Sequence, residues 1–296
     1  MTTFEAIAAK MLNVNNDAVQ MVVNGVNKNL RVKSAGRDVH IRFSPTSLHS
    51  REDLEAEVAF LAAINTQLDA ACDVVVAADN NILGPAIVAG QEYNGLITFT
   101  IEGEQLTSST DDAREFGRSL AIVHRTNVQM SQSAGPSPSS PIEVPPLLSS
   151  VYNDLISLKS DLKAHITQPV IGVCHGDAWL GNAINRNGRA VLFDFEFWTR
   201  GPIAYDIGTF AWNLYGQSLA NSAGIFASFV EGYKSVYDLK LTTQEILLGA
   251  VEREINNIHF MTQHISMSRE IEIATAKMAR DTIKFATLEN PLFVWE

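Results

Sequence analysis

A chain of 296 residues with 46% hydrophobic and 19% charged content has the composition of an ordinary globular protein, long enough for one large unit or two modest ones. The formal net charge of −11 argues against nucleic acid or an anionic membrane as partner. With only Cys72 and Cys174 a disulfide framework is excluded; without a run of about 18 apolar residues no membrane span is expected, and the N-terminus lacks the basic stretch and apolar core of a signal peptide. A cytoplasmic enzyme fits these bounds. The acidic excess is spread along the chain, so it reads as a solvated surface with only a slight tilt toward cationic ligands.

The first hundred residues read as strands around one helix. Ala18 to Asn24 is strand-like, Gly25-Val26-Asn27-Lys28-Asn29 follows, and Leu30-Arg31-Val32 continues. Val39, Ile41 and Phe43 alternate with polar residues up to Pro45. Ser50 opens a helix, with Asp53 three residues on and Leu54, Val58, Leu61 and Leu68 at helical spacing. Strands are expected again over Cys72 to Ala77 and Leu96 to Ile101. From Ser109 the pattern turns helical: Ala113 to Asn127, then Leu147 to His165. Between them, residues 131–146 hold five of the ten prolines and many serines, and read as an exposed loop. After Pro202 helices are expected over 203–215, 222–238, a segment capped by Thr242 and Glu245, and 268–287.

Residues 170–196 carry the chemistry. Val170 to Cys174 is a buried strand that delivers His175, Gly176 and Asp177 at its carboxyl end. Asn182 follows five residues later, and Ala183 to Phe193 reads as a hairpin closed by Asn187-Gly188, a pair suited to a type I′ turn. Asp194 ends the second strand. Asn182, Asp194 and Asp177 therefore converge, and three oxygen-bearing side chains suit a magnesium-bound triphosphate. Two can hold the metal while Asp177 orients an acceptor hydroxyl and takes its proton. The bland alternative is a buried His–Asp network beside an ordinary hairpin.

The segment His175-Gly176-Asp177-Ala178-Trp179-Leu180-Gly181-Asn182, followed by Asp194-Phe195-Glu196, resembles the signature of the aminoglycoside phosphotransferase and choline kinase superfamily. The resemblance implies an α+β, protein-kinase-like bilobal fold, with a β-rich nucleotide-binding lobe over residues 1–101 and a helical catalytic lobe over 102–296. It implies ATP and Mg2+ as cofactors, Asp177 as catalytic base, Asn182 and Asp194 as metal ligands, and His175 as a loop-shaping residue. Gly201-Pro202 and Tyr205-Asp206-Ile207-Gly208 are similar to the family's next turn and helix start, where the aspartate is structural. By the same resemblance Gly25 and Asn27 lie in a loop over the phosphates. Arg42 takes the place of the phosphate-binding lysine, and Glu57 (or Glu55) is its ion-pair partner. Thr98 borders the adenine, with the backbones of Phe99 and Ile101 bonding it.

Trp179, Phe197 and Trp198 offer either an aromatic cage for a quaternary ammonium or ordinary core. Glu196 either helps at the metal and acceptor or pairs with an arginine. His259 and His264, five apart, do not share a helix face and make no metal pair. Neither dinucleotide nor P-loop glycine motifs occur. Three functions follow: a kinase transferring phosphate to a small-molecule hydroxyl, a Ser/Thr protein kinase, or a nucleotide-binding pseudokinase acting as an interaction module.

Overall fold

The computed structural model describes residues 3–34, 36–66, 81–126, 142–288 and 293–295. The described residues up to Glu102 form one compact unit and those from Gly103 onward a second.

The first unit is built on an antiparallel sheet of order β1-β2-β3-β5-β4. Its strands are β1 (Val19–Asn24), β2 (Lys28–Val32), β3 (Val39–Pro45), β4 (Ile82–Val88) and β5 (Gln91–Phe99). Alternation in β2 and β3 turns Leu30, Val32, Val39, Ile41 and Phe43 into one core. A helix that the strand reading passed over, α1 (Phe4–Leu12), packs Phe4, Ala8 and Ala9 into that core. Thr3 starts it by accepting the Ala6 N–H. Strand β4 was also not expected, because Pro85 breaks its pattern; it lies at the sheet edge, where a missing N–H is tolerated. The helix expected after Ser50 is α2 (Arg51–Asn65), and Ser50 with Asp53 forms a full capping box. The expected strand Cys72 to Ala77 lies outside the described residues.

The second unit is mainly helical: α3 (Thr110–Arg125), α4 (Pro146–Lys163), α5 (Ala204–Gly216), α6 (Ser222–Lys234), α7 (Thr243–His264) and α8 (Arg269–Ala286). Helices α4, α7 and α8 share a core of Leu148, Leu155, Val251, Ile258 and Ala276. Five short strands carry the loops between them: β6 (Glu104–Gln105), β7 (Ile171–Cys174), β8 (Ala183–Arg186), β9 (Arg189–Leu192) and β10 (Thr199–Pro202). β7 pairs with β10, and β6 with the β8–β9 hairpin. The hairpin turns at Asn187 and Gly188, φ 57° and 79°, the positive angles that Asn-Gly accommodates. One boundary needs correction: β9 stops at Leu192, so Asp194 lies two residues past the strand.

Candidate active site

β7 ends at Cys174 and hands the chain to His175-Gly176-Asp177. Gly176 adopts φ +88°, and any Cβ there would overlap the carbonyl oxygen of Phe197, so the loop needs glycine. Asp206, fully buried in the first turn of α5, holds this loop from beneath. Its Oδ2 accepts the His175 N–H at 2.5 Å and its Oδ1 the Gly176 N–H at 2.9 Å. His124 Nε2 lies 3.0 Å from the same Oδ2, and His124 Nδ1 lies 2.7 Å from the Tyr233 hydroxyl. These bonds offset the cost of burying the carboxylate.

His175 ties the loop to the hairpin. Its Nε2–H donates to the Phe193 carbonyl at 2.9 Å, while Nδ1 accepts the Asp177 N–H at 3.3 Å. Both bonds are met by a neutral imidazole. Burial lowers the pKa of His175 and prevails over the nearby Asp206 and Asp177 carboxylates, which pull it up.

Asn182 ends a single 3₁₀ turn, Leu180–Asn182, and is buried. Its Nδ2 donates to the Asp177 carbonyl at 2.9 Å and to Asp177 Oδ2 at 3.0 Å, bonds that do not engage its own Oδ1. The Phe193 N–H donates to the Asn182 carbonyl at 3.0 Å, closing the base of the hairpin. Asp194 follows at φ 64°, a left-handed conformation that costs a non-glycine residue about 1–2 kcal/mol. Such strain persists where the surroundings fix the side chain. Asn182 and Asp194 thus flank the hairpin's open end, with Asp177 bonded to the first of them. Glu196 is buried.

The sequence reading missed the cavity beside Asp177. About 200 Å³ in volume, it is lined by Asp177, Trp179, Thr209, Trp212, Asn213 and Arg253. Thr209, Trp212 and Asn213 come from one face of α5, at spacings of three and four. Arg253 comes from α7, one turn after Gly249; a Cβ on Gly249 would overlap the Ala204 carbonyl, so glycine lets α7 close on α5. Arg253 Nη2 donates to Asp177 Oδ1 at 2.7 Å. Burial acts to lower the Arg253 pKa, but Asp177, Tyr205 and Glu254 outweigh it, and the pKa is raised. No local motif marks these residues; the available signal was the polar spacing on the helix that follows the hairpin. Of the aromatic residues considered for a cage, Trp179 lines this cavity, whereas Trp198 is 2% exposed and belongs to the core. The Trp212 ring already lies 5.3 Å from the Arg253 guanidinium.

In the first unit, Arg42 on β3 and Glu57 on α2 form a buried, two-pronged ion pair, Nη1–Oε1 3.1 Å and Nη2–Oε2 2.5 Å. Glu55 instead pairs with Arg51 at the surface. Gly25 and Asn27 lie in the β1–β2 turn, where the Gly25 N–H donates to the Asn27 carbonyl at 3.1 Å. Thr98 and Phe99 end β5 opposite His40 and Val39, and Ile101 lies just beyond. His259 bonds the Tyr152 hydroxyl at 2.8 Å.

An antiparallel sheet with a capped helix after its third strand, and a helical unit bearing a strand–loop–hairpin site, define a protein-kinase-like fold. The model of the phosphotransferase enzyme family (APH) matches residues 23–239, and the chain belongs to that family: it is a phosphotransferase. Solved structures agree on the fold. A microcompartment-associated aminopropanol kinase superposes with TM-score 0.73 at 19% identity over 95% of each chain. An amicoumacin kinase, in complex with AMP-PNP, Ca2+ and Ami, gives 0.68 at 14% over 99% of this chain and 96% of its own. Choline kinase from Streptococcus pneumoniae gives 0.63 at 17% over 94% and 97%. No curated protein matches the chain in sequence. Among the described residues no helix is long and apolar enough to cross a membrane.

Proposed function

We propose that this enzyme transfers the γ-phosphoryl group of ATP to a hydroxyl of a small molecule, with Asp177 as the base. The observation that carries this reading is the cluster at the hairpin's open end: Asp177 bonded through Oδ2 to Asn182 at 3.0 Å, with Asp194 strained beside it. The Asn182 amide oxygen and the Asp194 carboxylate are hard oxygen donors, the set that magnesium takes when phosphates and water complete its shell. When bound, magnesium neutralises charge on the transferring phosphates. The protein's part is positioning. Asn182 and Arg253 fix both Asp177 oxygens, and each keeps a lone pair with which to take the acceptor's proton. His175 and Asp206 hold the loop so that this geometry exists before substrates arrive.

Arg42, oriented by Glu57, serves the nucleotide phosphates in this reading, and the Gly25–Asn27 turn, Thr98, Phe99 and Ile101 serve the rest of the nucleotide. The structural relative solved with AMP-PNP and Ca2+ supports a nucleotide and a divalent ion. A cavity of about 200 Å³ beside Asp177 favours a small acceptor over a protein segment. A cytoplasmic location, where ATP is at hand, goes with this role. Asp177→Asn is expected to keep Mg–ATP affinity within a few-fold and to lower transfer about 10²–10⁴-fold. Unchanged turnover by that variant, measured as acceptor-dependent ADP release, removes Asp177 from the chemistry.

A further inference from the structure

The acceptor cavity carries one formal positive charge of its own, and it sits on the proposed base. Arg253 Nη2 holds Asp177 Oδ1 at 2.7 Å, so the lining carboxylate is already matched by a cation of this chain. The other polar lining groups, Thr209 and Asn213, are neutral. Glu254, next along α7, points away: its Oε2 accepts from Trp212 Nε1 at 2.8 Å and from the Thr282 hydroxyl at 3.2 Å. A cationic acceptor would therefore meet a guanidinium with no carboxylate left over to balance it. An anion meets a planar guanidinium with further N–H donors, stacked near an indole and raised in pKa.

We propose that the acceptor is a small hydroxy acid whose carboxylate is bound by Arg253; this rests on the phosphotransfer role of Asp177. Arg253 spends one nitrogen on Asp177, and the N–H donors left on its guanidinium suit a single carboxylate better than a phosphate dianion beside the Asp177 charge. The size agrees: a cavity of about 200 Å³ has room for a short-chain hydroxy acid. With the carboxylate on the guanidinium, a hydroxyl a few carbons away reaches Asp177. In the transfer the acceptor oxygen forms a bond to the γ-phosphorus. The bond from that phosphorus to the bridging oxygen breaks with its electron pair leaving on ADP, and the hydroxyl proton passes to the Asp177 carboxylate. The chain's overall net charge of −11 carries no weight here, since the charge that selects is the one in the cavity.

The test compares matched acceptors: glycerate with glycerol, 4-hydroxybutyrate with 4-amino-1-butanol, then choline and glycerol 3-phosphate. ATP turnover is measured in parallel with binding in Mg–ADP, followed by the fluorescence of the Trp179 and Trp212 indoles. The expected result is saturable binding of at least one carboxylate, and a carboxylate preference of about 100-fold or more within its pair. Preferred turnover of choline, an amino alcohol or glycerol 3-phosphate overturns the hydroxy-acid assignment while leaving the phosphotransfer reading intact. So does a lack of carboxylate binding by a protein that binds Mg–ADP. Failure to bind Mg–ATP, with no turnover of any acceptor, strikes the phosphotransfer reading itself. Two variants locate the effect. Arg253→Gln is expected to abolish the preference. Asn213→Asp, which keeps the side-chain shape and can still accept from Gln217, is expected to cut it at least tenfold. A preference that survives in both folded variants removes Arg253 from recognition.

Discussion

Two arginine–carboxylate pairs, one in each unit, use the same chemistry to different ends. Arg42–Glu57 has side chains 7% and 3% exposed and meets along both prongs of the guanidinium. Arg253–Asp177 has side chains 19% and 20% exposed, joins through one nitrogen, and opens on a cavity. In the first, both carboxylate oxygens are taken by the guanidinium, so Glu57 is spent on orienting Arg42. The second leaves donors and lone pairs available, so a ligand can join without breaking it. Charge is attenuated far less in the first setting than in the second, because an effective dielectric falls with burial. An ion pair's role is thus read from what its geometry leaves unspent rather than from its presence.

Breaking the Arg42–Glu57 pair has the largest expected effect on stability. Glu57→Gln leaves the Arg42 charge buried without its carboxylate, and removal of one partner of a buried pair costs about 3–5 kcal/mol. Urea unfolding is the measurement; a loss under about 1 kcal/mol shows that this pair is solvated like a surface bridge.

Each arginine also has a titratable neighbour, half-buried His40 in the first unit and buried Glu254 in the second, and the two respond to pH in opposite senses. His40 is lowered to about 4 from 6.5 by burial first, then by Arg42 and Arg31. Its folded pKa lies below the unfolded value, so its contribution is whole above 6.5 and is lost as pH falls toward 4. Glu254 is raised to about 7 from 4.5 by burial, against the bonds from Trp212, Asn257 and Thr282 and the charge of Arg253. Its contribution is whole below 4.5 and is lost as pH rises through 7. At 1.36 kcal/mol per unit, each amounts to about 3 kcal/mol. Between about pH 4.5 and 6.5 the two slopes cancel. Glu254→Gln should therefore unmask a stability that rises with pH across that window, and His40→Gln one that falls. Parallel slopes in the two variants would mean that neither shift operates.

The legibility of these features in the sequence follows how local their causes are. The Asn187-Gly188 turn, the Ser50–Asp53 and Thr242–Glu245 boxes and the β7–loop–hairpin order are set by neighbours within a few residues, and all were readable. Helix α1 and strand β4 were passed over: the first is short and alanine-rich, and the second is interrupted by Pro85, so burial against the sheet defines them more than pattern does. Asp177, Asn182 and Asp194 were placed together because a hairpin joins them. Arg253 was not, since it reaches Asp177 from 76 residues away, through a helix contact set by Gly249. Nothing near Arg253 in sequence distinguishes it from a solvated helix charge.

The gentlest probe of the comparison is one conservative change made in both places. Arg→Lys keeps the positive charge but replaces a planar fork by a point charge. At Arg42 the fork spans both Glu57 oxygens and both side chains are buried, so Arg42→Lys gives up one charge-assisted bond and leaves a buried oxygen unmatched, at a cost of about 1.5–3 kcal/mol. At Arg253 the single bond to Asp177 can be remade by an ammonium, and the cavity admits solvent to the rest, so Arg253→Lys should cost under about 1 kcal/mol. Its effect should fall on KM for the acceptor instead, because the fork that would face a carboxylate is lost while the charge at Asp177 is kept. Urea midpoints and acceptor KM, measured on both variants, give four numbers. Equal stability losses would mean that the two pairs are not different in kind, whatever their exposure.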